Sequence, residues 1–352
     1  MVTDWGAMNE RVDALKAGLE LEMPGTNTGN DEKIIAAVKN GELDEAVLDA
    51  AVERILTLIF KAEESLSGNH SYAQDAHHAL ARKVAGEGAV LLKNESNLLP
   101  IAPGSKVALI GRFAKHPRYQ GGGSSLMNPT QMDTLYEELE KLIGSQNLVY
   151  ADGYDAKGDH PDDGLIAEAV DVANQSDIVV VVAGLTDMYE TEGLDRTHMK
   201  MPPGHDALID SITKMHDKVV VVLLNGSPVE MPWLSDVEAL VEGYLGGQAG
   251  AGGLADILTG KVNPSGKLAE TFPIHLEDNP SYGCFPGGPA TVEYRESIYV
   301  GYRFYDKAQE KVLFPFGFGL SYTQFEYSDL TLSSSQIDAD DELLVSCRIT
   351  NT

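Results

Sequence analysis

Two short stretches, 178–183 and 219–224, are apolar at every position. A strand with one wet face alternates apolar and polar residues, whereas a strand apolar throughout needs cover on both faces. Each run is far too short to cross a bilayer as a helix. They therefore read as inner strands of a mainly parallel sheet, and the flanking sequence must supply its other parts. Strand candidates at 106–110, 147–151 and 239–243 do so, with helix candidates at 131–143, 165–175, 204–216 and 249–258. Strands alternating with helices predict an α/β fold with helices on both faces. Ligands of such sheets sit beyond the carboxyl ends of the strands.

Either side of this core the pattern changes. Residues 1–4 look like the end of a strand, 9–17 has helical spacing, and 19–23 alternates before breaking at Pro24-Gly25. Stretches 31–40 and 43–60 read as amphipathic helices punctuated by Gly41. A pair of β/α units of this kind cannot close a sheet. The stretch 74–94 reads as a further helix ending in apolar residues, followed by a loop with Pro100 and Pro103. From Phe325 the pattern becomes short alternating strands, 325–332 and 342–349, as at the start of a β-sandwich.

Charge narrows the partners. With 54 acidic and 26 basic residues the formal net charge is −28, which repels phosphate backbones and anionic lipid. Nucleic acid and membrane surfaces are thereby disfavoured, while neutral sugars stay compatible; a homo-oligomer is an allowed assembly. Solubility alone also accounts for the charge. Cys284 and Cys347 give neither a disulfide framework nor metal-ligand spacing. Met1 is followed by no basic or extended apolar segment, which favours the cytoplasm. Asn69, Asn94 and Asn225 head glycosylation triplets of a kind that chance supplies often in a chain this long.

Three segments could carry chemistry. Asp4 at a strand end, followed by Trp5, suits a sugar site: the carboxylate can attack an anomeric carbon and the indole can stack on a pyranose. The same pair fits a loop acid beside a buried aromatic. The segment from Gly184 to Arg196 follows an inner strand and gathers Asp187, Glu190, Glu192 and Asp195 around the single cation Arg196. Crowded carboxylates raise one another's pKa, as a general acid requires; a solvated acidic loop is the plainer alternative. Finally, Gly121-Gly122-Gly123-Ser124 follows the strand 106–110. It matches neither the dinucleotide fingerprint nor the P-loop, so close backbone approach to an uncharged ligand competes with a plain flexible loop. His77, His78, His160, His198 and His205 are scattered and read as surface or packing residues, and Pro228 argues against a nucleophile elbow at Ser227.

Together these segments resemble glycoside hydrolase family 3, in particular its multidomain β-glucosidases. Val2-Thr3-Asp4-Trp5 is similar to the family's nucleophile segment, with Thr3 in place of the usual serine. Glu192-Gly193-Leu194-Asp195-Arg196 is similar to its acid/base loop, and Gly246-Gly247-Gln248-Ala249-Gly250 and Asn263-Pro264-Ser265-Gly266 to the later part of its α/β domain. Tyr299-Val300-Gly301-Tyr302-Arg303 and Phe316-Gly317-Phe318-Gly319-Leu320 are the most specific matches.

The resemblance implies hydrolysis of terminal β-linked glucosides or related oligosaccharides by a retaining double displacement, without metal or organic cofactor. Asp4 would be the nucleophile and Glu192 the acid/base, with Glu190 its competitor two residues away. Trp5 would line the aglycone side and Ser124 would approach the sugar. It also implies a domain plan: 1–70 as the remnant of a (β/α)8 barrel, 71–104 as linker, 105–322 as an α/β/α sandwich, and 323–352 as the start of a fibronectin type III-like β-sandwich. Most of the barrel and most of that last domain are missing from such a plan, so impaired turnover is expected of this chain alone. A non-catalytic sugar-binding remnant and, from Gly121-Gly122-Gly123 only, a nucleotide-binding protein are the competing readings.

Overall fold

The computed structural model describes every residue except 26–28, 67, 69, 70 and 289, and the triplet at Asn69 lies outside the described residues. The chain divides into two units, Met1–Ala73 and Gln74–Thr352.

Among the described residues of the first unit, three helices form: α1 (Arg11–Lys16), α2 (Gly29–Lys39) and α3 (Glu45–Ser65). The Asp44 side chain accepts from Ala46 N at 3.0 Å and so starts α3. Leu15, Ile34, Ala37, Leu43 and Ala51 make a small core, with Val12, Val38, Val47 and Leu48 against it. The strands expected at 1–4 and 19–23 reduce to one parallel bridge, Val2 with Leu21, flanked by bonds from Thr3 N to Leu21 O and Gly6 N to Met23 O. Buried Arg11 donates to the carbonyls of Leu19 and Glu20, which fixes the returning chain. Val52, Leu56, Ile59 and Phe60 of α3 remain exposed.

The second unit contains the α/β core. Its elements run α4 (Gln74–Gly88), β1 (Val90–Asn94), β2 (Val107–Ile110), α5 (Leu135–Ile143), β3 (Leu148–Ala151), α6 (Asp163–Ala173), β4 (Ile178–Gly184), α7 (Pro203–Thr213), β5 (Val219–Leu224), β6 (Ala239–Glu242) and α8 (Gly250–Leu258). Six strands form one sheet in the order β1-β6-β5-β4-β2-β3, parallel except for β1 against β6. Every residue of β2, β4, β5 and β6 is buried, as the apolar runs require, and the carboxyl of Glu242 at the end of β6 is buried with them. The chain steps from β2 outward to β3, then back past β2 to β4 and on to β5. With right-handed crossovers this reversal puts α5 on one face and α6 and α7 on the other. Side-chain caps set two starts: Thr134 accepts from Glu137 N before α5, and Asp162 from Gly164 N and Leu165 N before α6.

The stretch 74–94 is not one helix. It ends at Gly88, and Val90–Asn94 becomes the antiparallel edge strand. A short apolar run suits a buried helix end and a buried strand alike, and pairing with β6 decides it. The segment 71–104, expected as linker, thus supplies both a helix and a strand of this unit. Leu91 O also accepts from Leu320 N at 2.8 Å, so the Phe316–Leu320 motif locks onto β1. A Cβ on Gly319 would lie 2.2 Å from Gly266 O, and one on Gly266 would lie 2.3 Å from Ala89 O. Backbone packing at that distance admits only glycine.

Beyond α8, β7 (Phe272–Pro273) pairs with β8 (Val312–Phe314) around α9 (Tyr302–Ala308). The end of the chain is an antiparallel pair, β9 (Phe325–Leu332) and β10 (Val345–Asn351). No helix among the described residues is long and apolar enough to cross a membrane.

Candidate active site

Strand order reverses between β2 and β4. Loops leaving the carboxyl ends of two such strands diverge to opposite faces and open a crevice between them. The loop after β2 begins at Gly111, where φ is +117° and a Cβ would stand 2.2 Å from Val182 O. It carries Arg118 and the glycines 121–123. The loop after β4 carries Asp187, Glu190 and Glu192.

These two loops pair. Gly122 bridges Thr191, and a Cβ on Gly122 would sit 2.4 Å from Thr191 Oγ1. Gly123 has φ +92°, and its Cβ would lie 2.4 Å from Glu192 Cβ. The glycine cluster therefore lets one loop lie flat on the other; it is not a loose connection.

Glu192 is exposed, and its Oε2 accepts from Ser124 N at 2.5 Å and from Ser124 Oγ. These bonds hold its carboxyl below the usual carboxylate range. Crowding is expected to raise a carboxyl in this loop, but at Glu192 the bonds from Ser124 favour the charged form and act in the opposite direction.

Glu190, two residues earlier, is mostly buried and pinned by the turn after β5. Gly226 N donates to Oε2 at 2.9 Å and Oε1 at 3.1 Å, and Ser227 Oγ donates to Oε1 at 2.9 Å. Arg118 Nη2 donates to Glu190 O at 2.7 Å, and Nη1 pairs with Asp187. Arg196, the only cation visible within the acidic segment, turns to the same β5 turn: Nη1 donates to Ser227 Oγ at 2.8 Å and Pro228 O at 3.1 Å. Arg118 thus supplies a second cation that the segment itself lacks.

The structure brings Glu190, Glu192 and Ser124 together. Asp4 and Trp5 belong to the other unit. Asp4 is exposed just after the Val2–Leu21 bridge, and Oδ1 accepts from Trp5 N at 2.6 Å. Trp5 is 71% exposed in this chain. Asn225 is fully buried, so its triplet is no glycosylation acceptor in the folded chain. Sequence reading missed the roles of Gly226, Ser227 and Arg118, which act across loops from different strands; the local signal for the first two is an Asn-Gly-Ser turn directly after a wholly apolar strand. Among the described residues no group of three or more His, Cys, Asp or Glu side chains is arranged to hold a metal ion.

Residues 89–322 match the family model described as the glycosyl hydrolase family 3 C-terminal domain. Over its whole length the chain is 53% identical to the thermostable beta-glucosidase B of Acetivibrio thermocellus, of which it covers 47%. It is 37% identical to the exo-alpha-(1->6)-L-arabinopyranosidase of Bifidobacterium longum, again covering 47% of that protein. The crystal structure of the Bifidobacterium adolescentis GH3 beta-glucosidase superposes on the full chain with a TM-score of 0.92 at 38% identity, with 51% of that chain covered. The chain spans about half the length of the curated relatives it matches.

Proposed function

This chain belongs to glycosyl hydrolase family 3, and on that premise we propose that it is part of a β-glucosidase-type enzyme that cleaves terminal β-linked glycosides with retention. The observation that carries the reading is the loop after β4: Glu190 is clamped by Gly226 and Ser227, while Glu192 two residues on is left at the surface. An acid/base must meet both a leaving oxygen and a water, and an anchored loop with an exposed carboxyl at its tip suits that task. In this reading Asp4 attacks the anomeric carbon as Glu192 gives its proton to the departing oxygen. Glu192, now ionised, takes a proton from water, whose oxygen displaces Asp4 and restores both groups. Trp5, exposed beside Asp4, offers its ring to the aglycone, and Ser124 steers Glu192 near the sugar. Glu190 shapes the pocket. The same reading makes 1–70 the end of a (β/α)8 barrel and 323–352 the start of a fibronectin type III-like sandwich.

Trapping and rescue in the full-length protein test the roles. A 2-deoxy-2-fluoro glucoside with a good leaving group should label the peptide containing Asp4. Labelling of another carboxylate would overturn the nucleophile assignment. Glu192→Ala should lower turnover of poor leaving groups about 10²–10⁴-fold, and azide should restore turnover of activated substrates. Azide rescue of Glu190→Ala, with none for Glu192→Ala, would transfer the role to Glu190.

A further inference from the structure

Behind the clamp on Glu190 lies a side-chain cluster to which these roles give no work. Glu242, the last residue of β6, and Asn225, which directly follows β5, are both fully buried. Asn225 Nδ2 donates to Glu242 Oε2 at 3.1 Å and also to Ser227 O at 2.9 Å. The other Glu242 oxygen accepts from Tyr244 N at 2.9 Å, and Tyr244 holds a left-handed φ of 51°. A carboxyl sealed in a core is costly, and an apolar side chain of similar length would fill the same space more cheaply. Such a group calls for an explanation beyond packing.

We propose that Glu242 is a positioning residue for the loop after β4, acting through Asn225 on the Gly226–Ser227 turn that holds the Glu190 carboxylate. This rests on the reading of the 190–192 loop as carrier of the acid/base. The Asn225 amide has two hydrogens; its bonds to Glu242 and Ser227 fix the plane of the amide and, with it, the turn. Gly226 N and Ser227 Oγ are then aimed at Glu190 before the loop arrives. Flexibility here would let the clamp, and Glu192 with it, drift from the geometry that proton transfer demands. Burial, with Glu190 and Glu270 nearby, pushes the Glu242 carboxyl well above the ordinary range, while the bonds from Tyr244 N and Asn225 oppose that shift.

The test reads the clamp itself in the 352-residue chain, by amide exchange at Gly226 and the carboxyl 13C resonance of Glu190. Glu242→Met keeps length and removes both acceptors. Exchange at Gly226 should quicken on the order of tenfold, and the Glu190 resonance should move. Glu242→Gln, which retains one acceptor, should fall between parent and Glu242→Met; if Glu242→Met does not fold, this variant decides. Adding Glu242→Met to Asn225→Ala should change neither signal further. A folded Glu242→Met or Glu242→Gln with both signals at the parent's values would overturn the proposal, as would full additivity with Asn225→Ala. Because turnover is not measured, a failure here leaves the acid/base assignment standing, and failed azide rescue with a responsive clamp would sink that assignment alone.

Discussion

At the scale of single residues, hydrogen bonding and burial push individual carboxyls in opposite directions. Glu192 takes its hydrogen bonds from Ser124 in the open, so its charged form is favoured. Ser124→Ala should raise its titration midpoint toward the ordinary value, measured by NMR; an unchanged midpoint would discredit the contact. A depressed carboxyl adds stability above its unfolded pKa and loses it as pH falls through the folded value, so Ser124→Ala should flatten the acid side of the stability curve. Asp206 is the opposite case. Burial pushes it up to about 6 despite a bond from Trp233 Nε1 at 2.9 Å. The folded chain therefore keeps a proton that the unfolded chain releases, and this contribution is lost as pH rises from about 4 through about 6. Asp206→Asn, which keeps an acceptor for Trp233, should remove that slope from urea midpoints taken across the window. An identical slope in the variant would rule Asp206 out as its source.

Elements show why part of the molecule was legible in the sequence. β4 and β5 announce themselves because burial on both faces leaves no polar position to misplace. Leu223→Ala on β5 should cost about 2–5 kcal/mol in urea melts, since the fully buried site has no room to collapse; a loss below about 1 kcal/mol would mean the strand is not core. β1 was hidden, because its apolar run carries no period and its partner β6 lies far along the chain. α9 was hidden too, in a segment whose aromatic residues dominate any periodicity. The candidate site divided in the same way. A cluster of acids after an inner strand is a local signal, so Glu190 and Glu192 could be singled out. The clamp from Gly226 and Ser227 arises only when two loops meet above the sheet, and nothing near residue 190 records it.

For the whole molecule, the two units have unequal means of holding together. Among the described residues, Met1–Ala73 rests on a cluster built around five buried apolar side chains, while the other unit encloses a six-stranded sheet. Hydrogen exchange should find α1–α3 opening at lower denaturant than β4 and β5; equal protection throughout would contradict this. The chain alone should also hydrolyse aryl β-glucosides far more slowly than a full-length relative, because it spans about half of such a protein and orientation contributes several kcal/mol to these barriers; comparable kcat/KM values would refute it. The placement of β1 carries a consequence for biosynthesis. It is the first strand of the sheet to leave the ribosome, yet one neighbour is the last strand, β6, and the other is Leu320. At about 5–20 residues per second, β1 waits on the order of ten seconds or more before Leu320 is made. Until β6 is made Val90, Leu91 and Leu92 have no strand to pair with, and until Leu320 is made one edge of β1 stays open, so a nascent chain of this kind offers a chaperone a segment that its finished fold buries.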